Sequence, residues 1–218
     1  MIHCEFPFPF LSSFKSTHQL VALVVGLALI LSVPVPSHAV NAETAELMFK
    51  ATKLSLEGKN KEALEIFMDI ARKEPKNFYA HNNVAMVYIE LKEYDKALEA
   101  YETSLALNPT FPMVLNNIGH LHMTLGHYDK AEKYLKKSLG LFKTLHLASA
   151  NLGELYLKQK RYDEAMKYLQ RALTDMPTLA RVHQLLGQLH RAQGREDEAE
   201  KEFVLYEKLR LKPDKKSP

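Results

Sequence analysis

The sequence predicts an all-α chain, a right-handed solenoid of five helix-turn-helix repeats. Three observations carry that expectation. First, Tyr94-Asp95-Lys96-Ala97 returns as Tyr128-Asp129-Lys130-Ala131 and again as Tyr162-Asp163-Glu164-Ala165, each step being 34 residues. Second, the frame extends outward to Asn60-Lys61-Glu62-Ala63 and Glu196-Asp197-Glu198-Ala199, giving units at 44–77, 78–111, 112–145, 146–179 and 180–213. Third, each unit holds two amphipathic stretches, at about unit positions 1–14 and 17–30 on the helical period, separated by a turn that carries Gly58, Gly126 or Gly194. A single helix pair cannot bury its apolar face, so the units are expected to stack.

In chain order, residues 1–39 stand apart from the repeats. Lys15 precedes an apolar run from Leu20 to Val33, and Pro34-Val35-Pro36-Ser37-His38-Ala39 follows. A basic start, a short apolar middle and a Ser-x-Ala ending are the plan of a secretory signal peptide, with cleavage expected before Val40. The alternative is an uncleaved anchor, in which case residues 18–33 would be the only membrane contact. Cys4 lies ahead of the apolar run, so it is not a lipoprotein cysteine. Residues 40–43 form a lead-in, the repeats fill 44–213, and 214–218 are a tail. Within the units, Asp95, Asp129, Asp163 and Asp197 fall in the first turn of the second helix, favourable to its dipole. Pro75, Pro109 and Pro177 close that helix and launch the next unit.

This pattern resembles the tetratricopeptide repeat, over 170 of the 218 residues. The family's small residue at unit position 8 is Ala51, Ala85, Gly119, Gly153 and Gly187 here, and its alanine at position 20 is Ala63, Ala97, Ala131, Ala165 and Ala199. At position 11, which favours an aromatic or large apolar residue, Leu54, Tyr88 and Tyr156 fit while His122 and His190 depart. The resemblance implies that the first helices line a concave groove, with positions 2, 5, 6, 9 and 12 facing it. On that reading Asn83, Asn117 and Asn151 form a ladder at position 6, joined by Asn82 and Asn116 at position 5. Asparagine is poor in a helix interior, and its amide can pair with the backbone of an extended ligand. The ladder resembles the one in the repeat domain of O-linked N-acetylglucosamine transferase. The competing reading is that the asparagines bond helix to helix. Phe49, Tyr79, Met86 and Met113 give the early part of the groove an apolar lining, while His120, Arg181 and Arg191 make its far end polar and basic. The cationic pair with which chaperone-adaptor members clamp a terminal carboxylate is missing, Met113 and Asn117 or Leu147 and Asn151 standing in its place.

Composition narrows the function. With 29 Lys+Arg against 26 Asp+Glu the charge is +3, too even to predict nucleic-acid binding, and one cysteine cannot build a disulfide framework or thiolate cluster. His120 and His122 lie on opposite sides of a helix, and His81, His122, His183 and His190 fall at packing positions, so no metal site is expected. No phosphate-loop, dinucleotide, nucleophile-elbow or zinc-protease motif occurs, and no catalytic residue or cofactor is expected. The expectation is therefore an exported, periplasmic or secreted, adaptor that binds a protein or peptide segment in its groove in cell-envelope assembly. The alternative is a scaffold, self-associating or membrane-tethered, that works through convex or terminal surfaces, with Phe203 and Tyr206 of the last helix partly exposed.

Overall fold

The computed structural model describes residues 42–142 and 146–211, and these form ten α-helices with no strand among them. The segment expected to direct export, including Cys4 and residues 18–33, and the tail lie outside the described residues. The helices pair as α1 (Ala42–Leu56) with α2 (Asn60–Lys73), α3 (Phe78–Glu90) with α4 (Tyr94–Leu107), and α5 (Pro112–Thr124) with α6 (Tyr128–Leu141). Next come α7 (His146–Lys158) with α8 (Tyr162–Asp175), and α9 (Ala180–Ala192) with α10 (Glu196–Arg210). Every second helix packs on the first helix of the following pair, and first helices also touch each other directly, α5 with α7 and α7 with α9. First helices thus sit on the inner radius of the stack and line its concave side.

The local chemistry explains the regular spacing. Between paired helices the chain turns through a left-handed residue, Gly58, Gly126 and Gly194 at φ +77°, +77° and +75°. Lys92 and Lys160 occupy the same turn position in the other two pairs at φ +62° and +60°, a conformation that costs a side-chain-bearing residue about 1 kcal/mol. The paired helices then approach closely: a Cβ on Gly153 would stand 2.5 Å from the Leu169 side chain, and one on Gly119 2.7 Å from Leu135. Asn77 caps α3 by accepting from the Ala80 N–H at 3.1 Å, and Pro112 opens α5.

The core is a repeated set of triplets. Ala80, Val84 and Val87 of α3 are buried, as are Val114, Ile118 and Leu121 of α5, Ala148, Leu152 and Leu155 of α7, and Val182, Leu186 and Leu189 of α9. These side chains face the preceding unit. In α1 the same three places hold Glu46, Lys50 and Lys53, all exposed. At the other end, Leu98 and Leu105 of α4 pack into the core, whereas their counterparts in α10 are Glu200 and Glu207, both exposed. Each end of the stack therefore carries charge where inner units carry hydrocarbon. Phe203 and Tyr206 are half-buried: Phe203 packs against Gly187 under the Arg191 guanidinium, and Arg210 lies over the Tyr206 ring.

Histidine at position 11 is the least satisfied part of this core. His122 is buried and stacks on Tyr134, ring centroids 5.6 Å apart, yet its Nδ1 has no hydrogen-bond partner. Burial holds its pKa below the ordinary histidine value, helped by the positive charge of Lys130 and by His127. His120 is likewise lowered, first by burial and then by the charge of Arg181. Because both imidazoles bind protons less readily folded than unfolded, stability is full above about pH 6.5 and is lost as pH falls through the depressed folded values. The melting temperature is expected to drop as the pH is lowered below about 6.5. His122→Phe, which removes an unpartnered buried nitrogen worth ~1–3 kcal/mol, should raise the melting temperature and flatten its pH dependence. An unchanged slope in that variant would assign the dependence to other groups.

Candidate functional site: the concave wall of first helices

The asparagines come together on the concave side in an order that periodicity alone does not reveal. Arg181 Nη1 donates to Asn151 Oδ1 at 2.9 Å, and Asn151 Nδ2 donates to Asn116 Oδ1 at 2.8 Å. Asn116 Nδ2 then donates to Asn117 Oδ1 at 3.4 Å, Asn117 Nδ2 to Asn82 Oδ1 at 3.3 Å, and Asn82 Nδ2 to Asn83 Oδ1 at 3.2 Å. Five side-chain amides and a guanidinium form one directed chain across four units. Its polarity has a definite origin: an arginine has donors only, so Asn151 must turn its oxygen toward Arg181, and each amide in turn orients the next. Aligned bonds of this kind polarise one another.

Asn82, Asn116 and Asn151 are buried, at 8%, 4% and 3% exposure, and each joins an interhelical hydrogen bond, while Asn82 and Asn116 also bond within their own helix. The chain ends at Asn83, half-buried, whose Nδ2 has no partner among the described residues. Asn82, Asn116, Asn117 and Asn151 thus bond helix to helix, and Asn83 presents the free end.

The remaining predicted groove residues fall into three settings. Phe49 and Met86 are the open apolar elements, 56% and 48% exposed. Tyr79 is half-buried against Phe78 and Phe111, with centroids 4.1 Å and 5.3 Å away, and that burial raises its phenol pKa. Met113 is half-buried and packs on the core. At the far end, Arg181 also pairs with Glu154, and Lys158 lies 3.5 Å from the same carboxylate. These cations hold the Glu154 pKa below the ordinary carboxylate value although burial pushes it up. The structure does not bring the two predicted arginines together. Arg191 lies over the Phe203 ring, 4.7 Å from its centroid, and 3.5 Å from Glu196. Arg181 is consequently neutralised from within the chain, and Lys158, overlooked in the sequence, belongs to its cluster. The helical spacing Glu154 to Lys158 was the available signal.

Among the described residues, no group of three or more His, Cys, Asp or Glu is placed to hold a metal, and no helix is long and apolar enough to cross a membrane. What the wall offers is shape, amide hydrogen bonding and an apolar shoulder, which is recognition chemistry.

A stack of antiparallel helix pairs with an inner wall of first helices is an α-helical repeat scaffold. Family models for the tetratricopeptide repeat match residues 78–111, 100–133, 123–189 and 156–206, and these helix pairs are tetratricopeptide repeats. No curated protein matches the sequence. Among solved structures, PilW, titled a widely conserved type IV pilus biogenesis factor, is 25% identical with a TM-score of 0.71, over 78% of each chain. PilF of Pseudomonas aeruginosa is 20% identical with a TM-score of 0.68 over 77% of each chain. MamA from Desulfovibrio magneticus is 19% identical with a TM-score of 0.63, over 81% of this chain and 99% of the other. The latter two likenesses speak for the fold alone. The tetratricopeptide-repeat fold is that of a protein-interaction scaffold, and nothing among the described residues points to catalysis.

Proposed function

We propose that the protein is an exported adaptor that holds an extended segment of a partner in its concave groove, in the assembly of a cell-envelope structure. The observation that carries this reading is the directed amide chain ending at Asn83. Its unspent Nδ2 donor lies one helical turn from exposed Met86, where a partner's backbone carbonyl and an apolar side chain can be met together. Methionine adapts to ligands of varied shape. The signal-like segment at 1–39 and the likeness to PilW, a type IV pilus biogenesis factor, support the envelope setting.

The test is site-specific photo-crosslinking in the source organism from position 86, with position 133 on the outer face of α6 as control. A defined partner should be captured from position 86 on a protein recovered from the envelope fraction with Val40 as its first residue. Adding Asn83→Ala should cut the yield about tenfold, near 1.4 kcal/mol of binding, with helical circular dichroism unchanged. Equal capture from positions 86 and 133 would overturn groove binding, and recovery of the protein only from the cytoplasm would overturn export.

A further inference from the structure

A groove on the convex side of the last two units is lined by Asp163, Met166 and Gln170 of α8, His190 of α9, Arg195 of the turn and Glu202 of α10. The residue 34 positions before His190 is Tyr156, and the counterparts of Met166, Gln170, Arg195 and Glu202, namely Glu132, Lys136, Arg161 and Tyr168, surround it. There the space is full. The Tyr156 ring is 1% exposed, lies 5.5 Å from the Tyr168 ring and 4.3 Å from the Arg161 guanidinium, and donates its hydroxyl to Glu132 at 2.9 Å.

One unit later, His190 stands for Tyr156, Glu202 for Tyr168 and Met166 for Glu132. Two phenol rings are thereby deleted, and Glu202 is held by His183, Nδ1 to Oε2 at 2.7 Å. The cation survives: Arg195 is the counterpart of Arg161, and the neutral Gln193 is its hydrogen-bond partner. Asp163, on the same wall, has no ion pair among the described residues. His190 Nδ1 also lacks a hydrogen-bond partner. The groove therefore offers an open space for a ring, a guanidinium able to cover its face, and a carboxylate able to take a hydroxyl proton in a hydrogen bond. That polarity complements a phenol, whose face is negative and whose O–H is positive.

We propose that this convex groove is a binding site for a tyrosine side chain of a partner protein, the ring seated beneath Arg195 and the hydroxyl donated to Asp163. The site is separate from the concave wall, so its fate does not depend on the reading given to Asn83.

The test uses the full chain with 13C-labelled methionine methyls and p-cresol as the tyrosine side-chain probe. Saturable ring-current shifts are expected at the Met166 methyl in the millimolar range. His190→Tyr, which refills the groove as the preceding unit does, should abolish them with helical circular dichroism unchanged. Asp163→Ala, which removes the acceptor, should weaken p-cresol about tenfold, toward the level of toluene, as expected for one lost hydrogen bond to a charged group. Absence of a saturable Met166 shift, an equal response in His190→Tyr, or equal binding of p-cresol and toluene would each overturn the proposal. Met86→Lys on the concave wall should leave p-cresol binding as it is; loss there would place the probe in the other groove and overturn it too.

Discussion

Tyr156→Ala is expected to cost ~3–5 kcal/mol and to uncouple the two halves of the stack. Tyr156 is almost wholly buried and joins three elements: its hydroxyl reaches Glu132 on α6, its ring meets Tyr168 on α8, and Arg161 covers it from the turn. Truncation leaves a ring-sized void and strips Glu132 of one partner, although Lys136 at 2.6 Å and Arg161 at 3.2 Å remain. In a chain whose units touch only their neighbours, such damage is local. Amide hydrogen exchange should show α7 to α10 opening first, with α1 to α4 keeping their protection. One uniform, cooperative loss of protection along all ten helices would contradict this. Tyr156→Phe, which keeps the ring, should lose only the hydrogen bond, ~1.5–3 kcal/mol at most because Glu132 is charged and partly solvated.

Arg181→Met is the second large effect, and its more informative consequence appears three units away. The side chain spans from α9 to α7, bonding Asn151 and Glu154 at once. Methionine preserves much of the hydrocarbon but leaves a half-buried carboxylate with Lys158 as its remaining cation. Breaking a buried pair costs ~3–5 kcal/mol; with the Arg181 side chain 35% exposed, the expected loss is ~2–3 kcal/mol. At ~2–4 °C per kcal/mol, the melting temperature should fall by roughly 4–12 °C. Arg181 also sets the orientation of every amide up to Asn83. Its removal frees Asn151 to turn over, so crosslinking from position 86 should weaken although the substitution is remote. Side-chain amide resonances of Asn116, Asn117 and Asn82 should broaden or shift in sequence. Shifts confined to Asn151 and Glu154 would show the amides to be independent of one another.

Much of this architecture is legible in the sequence because repetition averages out noise. The alanine at position 20, the small residue at position 8 and the turn glycines recur in register, and the second helices, like the first helices from α3 on, begin 34 residues apart, α1 starting two residues ahead of the frame at Ala42. Lys92 and Lys160 show why the turns were readable even without glycine: the surrounding pattern fixes the left-handed residue, and the side chain bears the cost. The candidate site was read less completely. A residue's position on a helix face predicts which way it points, but not whom it meets across 30 to 35 residues of sequence. Asn116 and Asn151 both lie on first helices, yet their mutual bond depends on the offset between positions 5 and 6 of successive units. Arg181 and Arg191 look alike in a helical wheel, and only the neighbouring Glu154 and Phe203 separate a bridge to the amide chain from a cover over a ring. The convex groove is hidden from pattern reading because it arises from what is missing. Comparing His190 and Glu202 with Tyr156 and Tyr168, column by column, is the signal that would have found it.

The charged ends of the stack bear on how such a chain acquires length. Glu46, Lys50 and Lys53 at one end, and Glu200 and Glu207 at the other, occupy places that an added unit would have to cover. A duplicate appended at either terminus would bury those charges without partners, so the new junction would be born unstable. A duplicate inserted between two inner units meets hydrocarbon on both faces and inherits working junctions at once. Growth of this array is thus channelled to its interior, where each new copy also lengthens the inner wall that a partner can read.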